Sequence, residues 1–258
     1  MAKTVLITGA TAGLGRATAI ELHRRGWTVL AHGRSEAKLA GLPGVTPLLA
    51  DLASLAEVRS LAERVTHVDV LVNNAAVGFG PPGGAREVSV DGHELRMAVN
   101  YLAPVLLTRL LLRTAAPARV VNVGSLGQVP FDPADIEFTR GYDGVLAYRR
   151  SKLALVAHTF DLAEELRGRG VTVNCVHPAG FMDTAMVRES GITPMSTVDE
   201  GLAAVLASIT GPADDTGQFY AGTRRATALA PAYDPGFRRD LREVTERMLT
   251  TRAGRGTE

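Results

Sequence analysis

Hydrophobic positions fall in short continuous blocks that alternate with longer runs of helical period. Apolar, β-branched blocks occupy residues 5–7, 27–31, 45–50, 68–72, 119–123 and 171–176. Each is short and nearly continuous in apolar character, as expected when both faces of a strand are covered by helices. Between them, helical patterns cover 14–25, a short polar stretch 35–40, then 54–65 and 90–115. Another helical run opens at Tyr148 and carries Leu153, Leu155, Val156, Phe160, Leu162 and Leu166. This alternation predicts an α/β fold, a doubly wound parallel sheet of about seven strands with helices on both faces. No linker, repeat or low-complexity tract divides the chain. It reads as a single domain over 1–258, with halves at about 1–125 and 126–251 and a frayed tail at 252–258.

Composition narrows the function classes. The chain has 258 residues, 46% hydrophobic, and a net charge of +1, which implies no general attraction to nucleic acid or an anionic membrane. Cys175 is the single cysteine, so an intrachain disulfide and a cysteine metal cluster are excluded; its apolar setting predicts an inert core thiol. The N-terminus runs directly into a strand with no signal-peptide pattern, and no apolar run approaches the roughly 20 residues of a membrane span. A cytoplasmic protein is expected, with no nucleic-acid partner and no membrane span.

Three local patterns carry chemistry. Between the first strand and first helix, Thr8 to Gly15 spells a turn with Gly9, Gly13 and Gly15, and with Thr11, Ala12 and Leu14 between them. Glycines allow a sharp turn and close backbone approach, and the following helix N-terminus offers free N–H groups to a pyrophosphate. The turn predicts nucleotide binding, although its Gly-x-x-x-Gly-x-Gly spacing differs from the commoner Gly-x-Gly-x-x-Gly. At the end of the second strand, where an acid would accept hydrogen bonds from the ribose of NAD, the chain has Gly33 followed by Arg34. A guanidinium suits a phosphate, so NADP(H) is favoured over NAD(H), with Lys38 as added charge. Asp51 ends the third strand, placed either for the adenine edge or as a cap for the next helix. Finally, Tyr148 and Lys152 lie four apart on one helical face. A cation beside a phenol lowers its pKa, which makes the pair a proton-transfer device.

Taken together these residues resemble the short-chain dehydrogenase/reductase family over nearly the whole chain. The 8–15 turn is similar to that family's nucleotide motif, and Asp51 with Leu52 to its adenine-contact pair. Asn73, Asn74, Ala75 and Ala76 are similar to its Asn-Asn-Ala-Gly motif. Asn100 falls where the family carries a catalytic asparagine, Ser125 follows the fifth strand, and Tyr148 with Lys152 makes the Tyr-x-x-x-Lys signature. The long interval from Ser125 to Tyr148 and the C-terminal sequence resemble the retinol-dehydrogenase-like and protochlorophyllide-reductase-like branch, which usually prefers NADP(H). Three departures stand out. Ala12 sits where many NADP-using members have a basic residue, and Ala76 replaces a glycine. After the sixth strand Pro178 to Thr184 holds one residue more than the usual Pro-Gly-x-x-x-Thr, so either Ala179 or Gly180 takes the glycine's role.

The resemblance implies reversible hydride transfer between a nicotinamide and a carbonyl or alcohol. Tyr148 would be the general acid and Ser125 would hold the substrate oxygen. Lys152 would lower the Tyr148 pKa and bond the nicotinamide ribose, and Asn100 would anchor a water relaying protons. Binding of the cofactor is expected to involve the 8–15 turn, Arg34, Asp51, Leu52, Asn74, Ala75, Tyr148, Lys152, Pro178, Gly180 and Thr184. Val129, Phe131, Phe181, Met182, Met186, Val187, Ile192 and Met195 predict a mostly apolar small-molecule substrate. Two rivals share the scaffold: reduction of an activated C=C or C=N bond, or NADP sensing without turnover. The family also commonly forms homodimers or homotetramers through the 90–115 and 148–168 helices.

Overall fold

A computed structural model describes residues 2–250; the expected tail at 252–258 lies outside them. Eight strands form one sheet in the order β3-β2-β1-β4-β5-β6-β7-β8. The strands are β1 Thr4–Ile7, β2 Thr28–Gly33, β3 Thr46–Leu49, β4 Val70–Asn73, β5 Arg119–Val123, β6 Thr172–His177, β7 Phe219–Ala221 and β8 Arg224–Arg225. β1 to β7 pair in parallel, and the two-residue β8 pairs antiparallel with β7 at the far edge. Pro47 lies in β3, where an edge strand tolerates its missing N–H.

The strand period of two divides each apolar block between two cores. Val5, Ile7, Val70, Val72, Val121 and Val123 face helices α1 Gly13–Arg24, α2 Glu36–Ala40 and α8 Val198–Thr210. Leu6, Leu71, Val120 and Val173 face α3 Leu55–Glu63, α5 Ala103–Thr114, α6 Gly144–Glu165 and α9 Pro235–Thr250. Cys175 is buried in that second core, as its setting predicts.

Helix starts follow their caps. Ser54 accepts the Glu57 N–H and opens α3. Asp143 accepts the Leu146 N–H at 2.8 Å and starts α6 at Gly144, a turn before Tyr148. The helix predicted from residue 90 begins instead at Leu95, because Gly92 turns at φ 85° and buried Glu94 caps Met97 N–H at 2.7 Å. It proceeds as α4 Leu95–Met97, a π-turn at Ala98–Leu102, then α5. Contrary to the expectation of no span-length run, Leu95–Thr114 is long and apolar enough to cross a membrane by length and composition. With 78% of that window buried, it is packed as a core helix against the sheet.

β1 is flanked by β2 on one side and β4 on the other, so the chain reverses its winding between β1 and β4. Ligands of such sheets bind outside the strands' carboxyl ends at this switch point. The long 126–147 segment is tied beside it by a polar cluster. Glu137 accepts from Arg86 at 3.0 Å and from Glu94 N at 2.8 Å, and bonds His93 Nδ1 at 2.7 Å.

The Glu137 bond raises the pKa of His93 above its usual value, against a lowering from burial. A raised folded-state pKa gives stability that is full below the unfolded value of about 6.5 and is lost as pH rises through the folded one. The thermal stability of the wild type relative to His93→Gln is therefore expected to shrink between pH 5.5 and 8.5. A pH-independent difference in Tm would exclude this pair as a titrating contact.

Candidate active site

The glycine turn is built by stitching the ends of β1 and β4. The buried Thr8 hydroxyl donates to Val72 O at 3.3 Å and accepts from Asn74 N at 2.9 Å and Ala75 N at 3.0 Å. Asn74 Nδ2 donates back to Thr8 O at 2.8 Å. Gly9 is left-handed at φ 67°, and a Cβ at position 15 would run into the Gly9 carbonyl and the Asn74 amide. These positions hold the turn tight against the loop after β4. α1 then begins at Gly13 with Ala12 as its N-cap, and no side chain caps its first turn. A tight glycine cradle under uncapped helix N–H groups fits a pyrophosphate.

His32, unremarked in the sequence, is part of the same scaffold. It is buried in β2; its Nδ1 accepts from Gly9 N at 3.2 Å and its Nε2 donates to Ala50 O at 3.0 Å. Burial pushes its pKa down to about 4, which keeps it the neutral tautomer those two bonds need. A Cβ at Gly33 would meet the Thr11 methyl, so position 33 has no room for an acid beside the turn. Arg34 follows, exposed and with no ion pair among the described residues. Lys38 is exposed one turn later, on a helix capped by Ser35.

Other expected cofactor contacts are placed less simply. The Asp51 carboxylate accepts Ala53 N at 3.0 Å, shaping the approach to α3, while Ser54 and not Asp51 is the cap. The Leu52 and Leu14 side chains are buried in the two cores. Ala75 packs against Gly9, and Thr184 lies against Gly13 on the opposite side of the turn. Pro178 is buried and Gly180 exposed, with open space where a Cβ would stand at Gly180. In this loop the exposed Phe181 takes a left-handed φ of 42°.

Ser125, Tyr148 and Lys152 come together beyond β5. Ser125 Oγ accepts Gly127 N at 3.0 Å and lies near enough to the Tyr148 hydroxyl to lower its pKa. Lys152 is buried; its ammonium donates to Val123 O at 2.8 Å and lies 5.5 Å from the Tyr148 ring centroid. Burial pushes the Tyr148 phenol up to about 12, against the lowering from Ser125, and pushes Lys152 down to about 8. Desolvation of the phenol wins, and the ammonium is directed at a carbonyl.

Asn100 lies in the π-turn and is buried. Its Oδ1 accepts Val77 N at 2.7 Å, and its Nδ2 donates to Val77 O at 3.0 Å and Ser151 Oγ at 3.1 Å. With both amide hydrogens engaged, the side chain braces the 77–80 loop against α6. Phe79, in that loop, packs edge-on against Tyr148 with centroids 4.7 Å apart.

The apolar wall is thinner than the sequence suggests. Phe131 packs on Phe237, and Met182 joins the core beneath α8. Met186, on α7 Ala185–Glu189, lies over Gly78, and Phe181 and Met195 are exposed near it. Missed by sequence reasoning were His32, Phe79 and Arg96. The signal for Arg96 is a lone cation inside an apolar helical run, which marks a buried charge with partners elsewhere.

Comparison with known proteins shows the family. The short chain dehydrogenase family model matches residues 3–194. Human retinol dehydrogenase 13 is 39% identical over 211 residues, covering 74% of this chain; the match spans 62% of that relative's length. An uncharacterised protein from Mycobacterium paratuberculosis superposes with a TM-score of 0.82 at 30% identity, covering 98% of this chain and 95% of that one. A short chain dehydrogenase from Burkholderia cenocepacia, solved in complex with NADP, gives a TM-score of 0.66 at 27% identity, covering 85% of this chain and 95% of its own. The chain belongs to the short-chain dehydrogenase family and resembles its retinol-dehydrogenase-like branch.

Proposed function

We propose that this chain is an NADP(H)-dependent oxidoreductase acting on the carbonyl or alcohol of a mostly apolar small molecule. The observation that carries the reading is the convergence of Ser125, Tyr148 and Lys152 beside the glycine turn. The cofactor supplies the hydride when bound. The 8–15 turn and the α1 N-terminus would hold its pyrophosphate, and the exposed Arg34, next to the buried Gly33, would pair with the 2′-phosphate. The NADP complex of the Burkholderia relative supports that preference.

In the reductive direction Ser125 donates to the substrate oxygen and polarises it. Tyr148, with its pKa near 12, carries its proton at neutral pH and delivers it to that oxygen as negative charge grows there. Lys152, near 8, is mostly protonated at pH 7 and stabilises the phenolate left behind. Asn100 keeps the Val77 peptide and α6 in register around this triad. Met186, Phe181 and Met195 present apolar surface at the mouth, and the named activity of retinol dehydrogenase 13 accords with an apolar substrate.

Following NADPH absorbance against aldehydes, ketones, enones and imines tests the reading. Carbonyl reduction is expected, whereas turnover confined to enones or imines, or none, would replace it. Tyr148→Phe should leave NADPH affinity nearly intact and lower kcat by about two to four orders of magnitude; unchanged turnover would sink the mechanism. Arg34→Asp should shift the NADP/NAD ratio of kcat/KM toward NAD, and an unaltered ratio would show that another residue selects the cofactor.

A further inference from the structure

Arg96 is almost completely buried, and every donor on its guanidinium is engaged. Nε donates to Gly78 O at 2.9 Å. One terminal nitrogen donates to Phe79 O at 3.0 Å and the Glu87 carboxylate at 3.2 Å. The other donates to the Tyr142 hydroxyl at 2.7 Å and to Glu94 at 3.4 Å. Tyr142 in turn donates to Glu94 at 2.9 Å. Desolvating a guanidinium is costly, and the cost is offset only when its five N–H groups find acceptors in good geometry. Two of these acceptors are backbone carbonyls of the loop that leaves β4.

The loop is held from one side by a single helix face. Arg96 and Asn100 are four residues apart; Asn100 takes the N–H and carbonyl of Val77, and Arg96 takes the next two carbonyls. On the other side, a Cβ at Gly144 would run into the Phe79 carbonyl, so the loop lies flat on the first turn of α6. Gly144 and Tyr148 are themselves four apart on α6. The Phe79 ring therefore meets the Tyr148 ring edge to face, at an interplanar angle of 86°.

We propose that Arg96 is a positioning residue for proton transfer: its buried guanidinium holds the Gly78 and Phe79 carbonyls, and so seats the Phe79 ring against Tyr148. This rests on the reading of Tyr148 as the proton donor. The seated ring gives the phenol one orientation, hydroxyl toward Ser125, and keeps water from its face. Arg96→Lys retains the charge but loses the planar fork, because an ammonium has three donors on one atom and cannot span two carbonyls and a phenol. Phe79→Ala removes the ring without touching the guanidinium.

The test uses NADPH at saturation with the aldehyde of highest kcat/KM in the panel above, and hydrogen exchange at residues 77–80. Arg96→Lys and Phe79→Ala are each expected to lower kcat about tenfold to a hundredfold, with KM for NADPH within about twofold of wild type. The double variant should be no worse than the more damaged single one, since both act through one ring. Exchange at 77–80 should quicken in Arg96→Lys. If that variant does not fold, Gly144→Ala, which pushes on the Phe79 carbonyl, should give the same kinetic signature. Wild-type kcat in Phe79→Ala and in Arg96→Lys, or multiplicative losses in the double variant, would overturn the role of Arg96. Tyr148→Phe is run in parallel. Retained turnover there removes the reading of the site itself, while its loss beside an active Arg96→Lys removes only the positioning role.

Discussion

The cleft depends on one hydroxyl. Thr8 stands where two strands with opposite winding leave the sheet, and its oxygen bonds three backbone groups from β4 and the residues after it. A parallel sheet opens at this point because the helices after β1 and β4 go to different faces. Without a link the two loops would diverge and the glycine turn would have no wall. Asn74 closes the link from the other side, and His32 fixes the same turn to β2 and β3. Three side chains thus turn a topological gap into a rigid cradle. Their bonds lie where water is scarce, so each is costly to leave unmade.

A second layer of polar contacts holds the chemistry. Arg96, Asn100, Glu94 and Glu137 occupy or adjoin the start of the long helix, and they secure the 77–80 loop and the 126–147 segment on either side of Tyr148. The π-turn lies within that same helix start. Irregular helical geometry often accompanies function, because it redirects side chains that a regular helix would send elsewhere. Here it accompanies Asn100, whose amide reaches both the loop and Ser151 on α6.

Much of the fold was legible in the sequence because both faces of the sheet are covered. Nearly continuous apolar blocks such as 68–72 and 119–123 point to strands covered on both faces, and the glycine turn between a strand and a helix is a local signal. Tyr148 and Lys152 were legible for the same reason, since four-residue spacing fixes a shared face. What the sequence hid was set by partners distant along the chain. Arg96 reads as a polar interruption in an apolar helix until residues 78, 79 and 142 are brought to it. His32 reads as an ordinary strand residue until the turn at Gly9 folds over it. The start at Leu95 was missed because the apolar period continues through Val90, whereas Gly92 and the Glu94 cap decide the boundary. The desolvation at Tyr148 was hidden as well, because spacing conveys proximity but not burial.

Phe181 takes a left-handed dihedral at the exposed rim beyond β6. On its far side Met182 is bridged to Ser196, and Thr184 still reaches Gly13; on its near side Pro178 stays buried at the end of β6. The left-handed turn is thus an exposed residue strung between fixed points on both sides. A side chain so placed can swing toward or away from a ligand at the rim while the floor of the site keeps its dimensions.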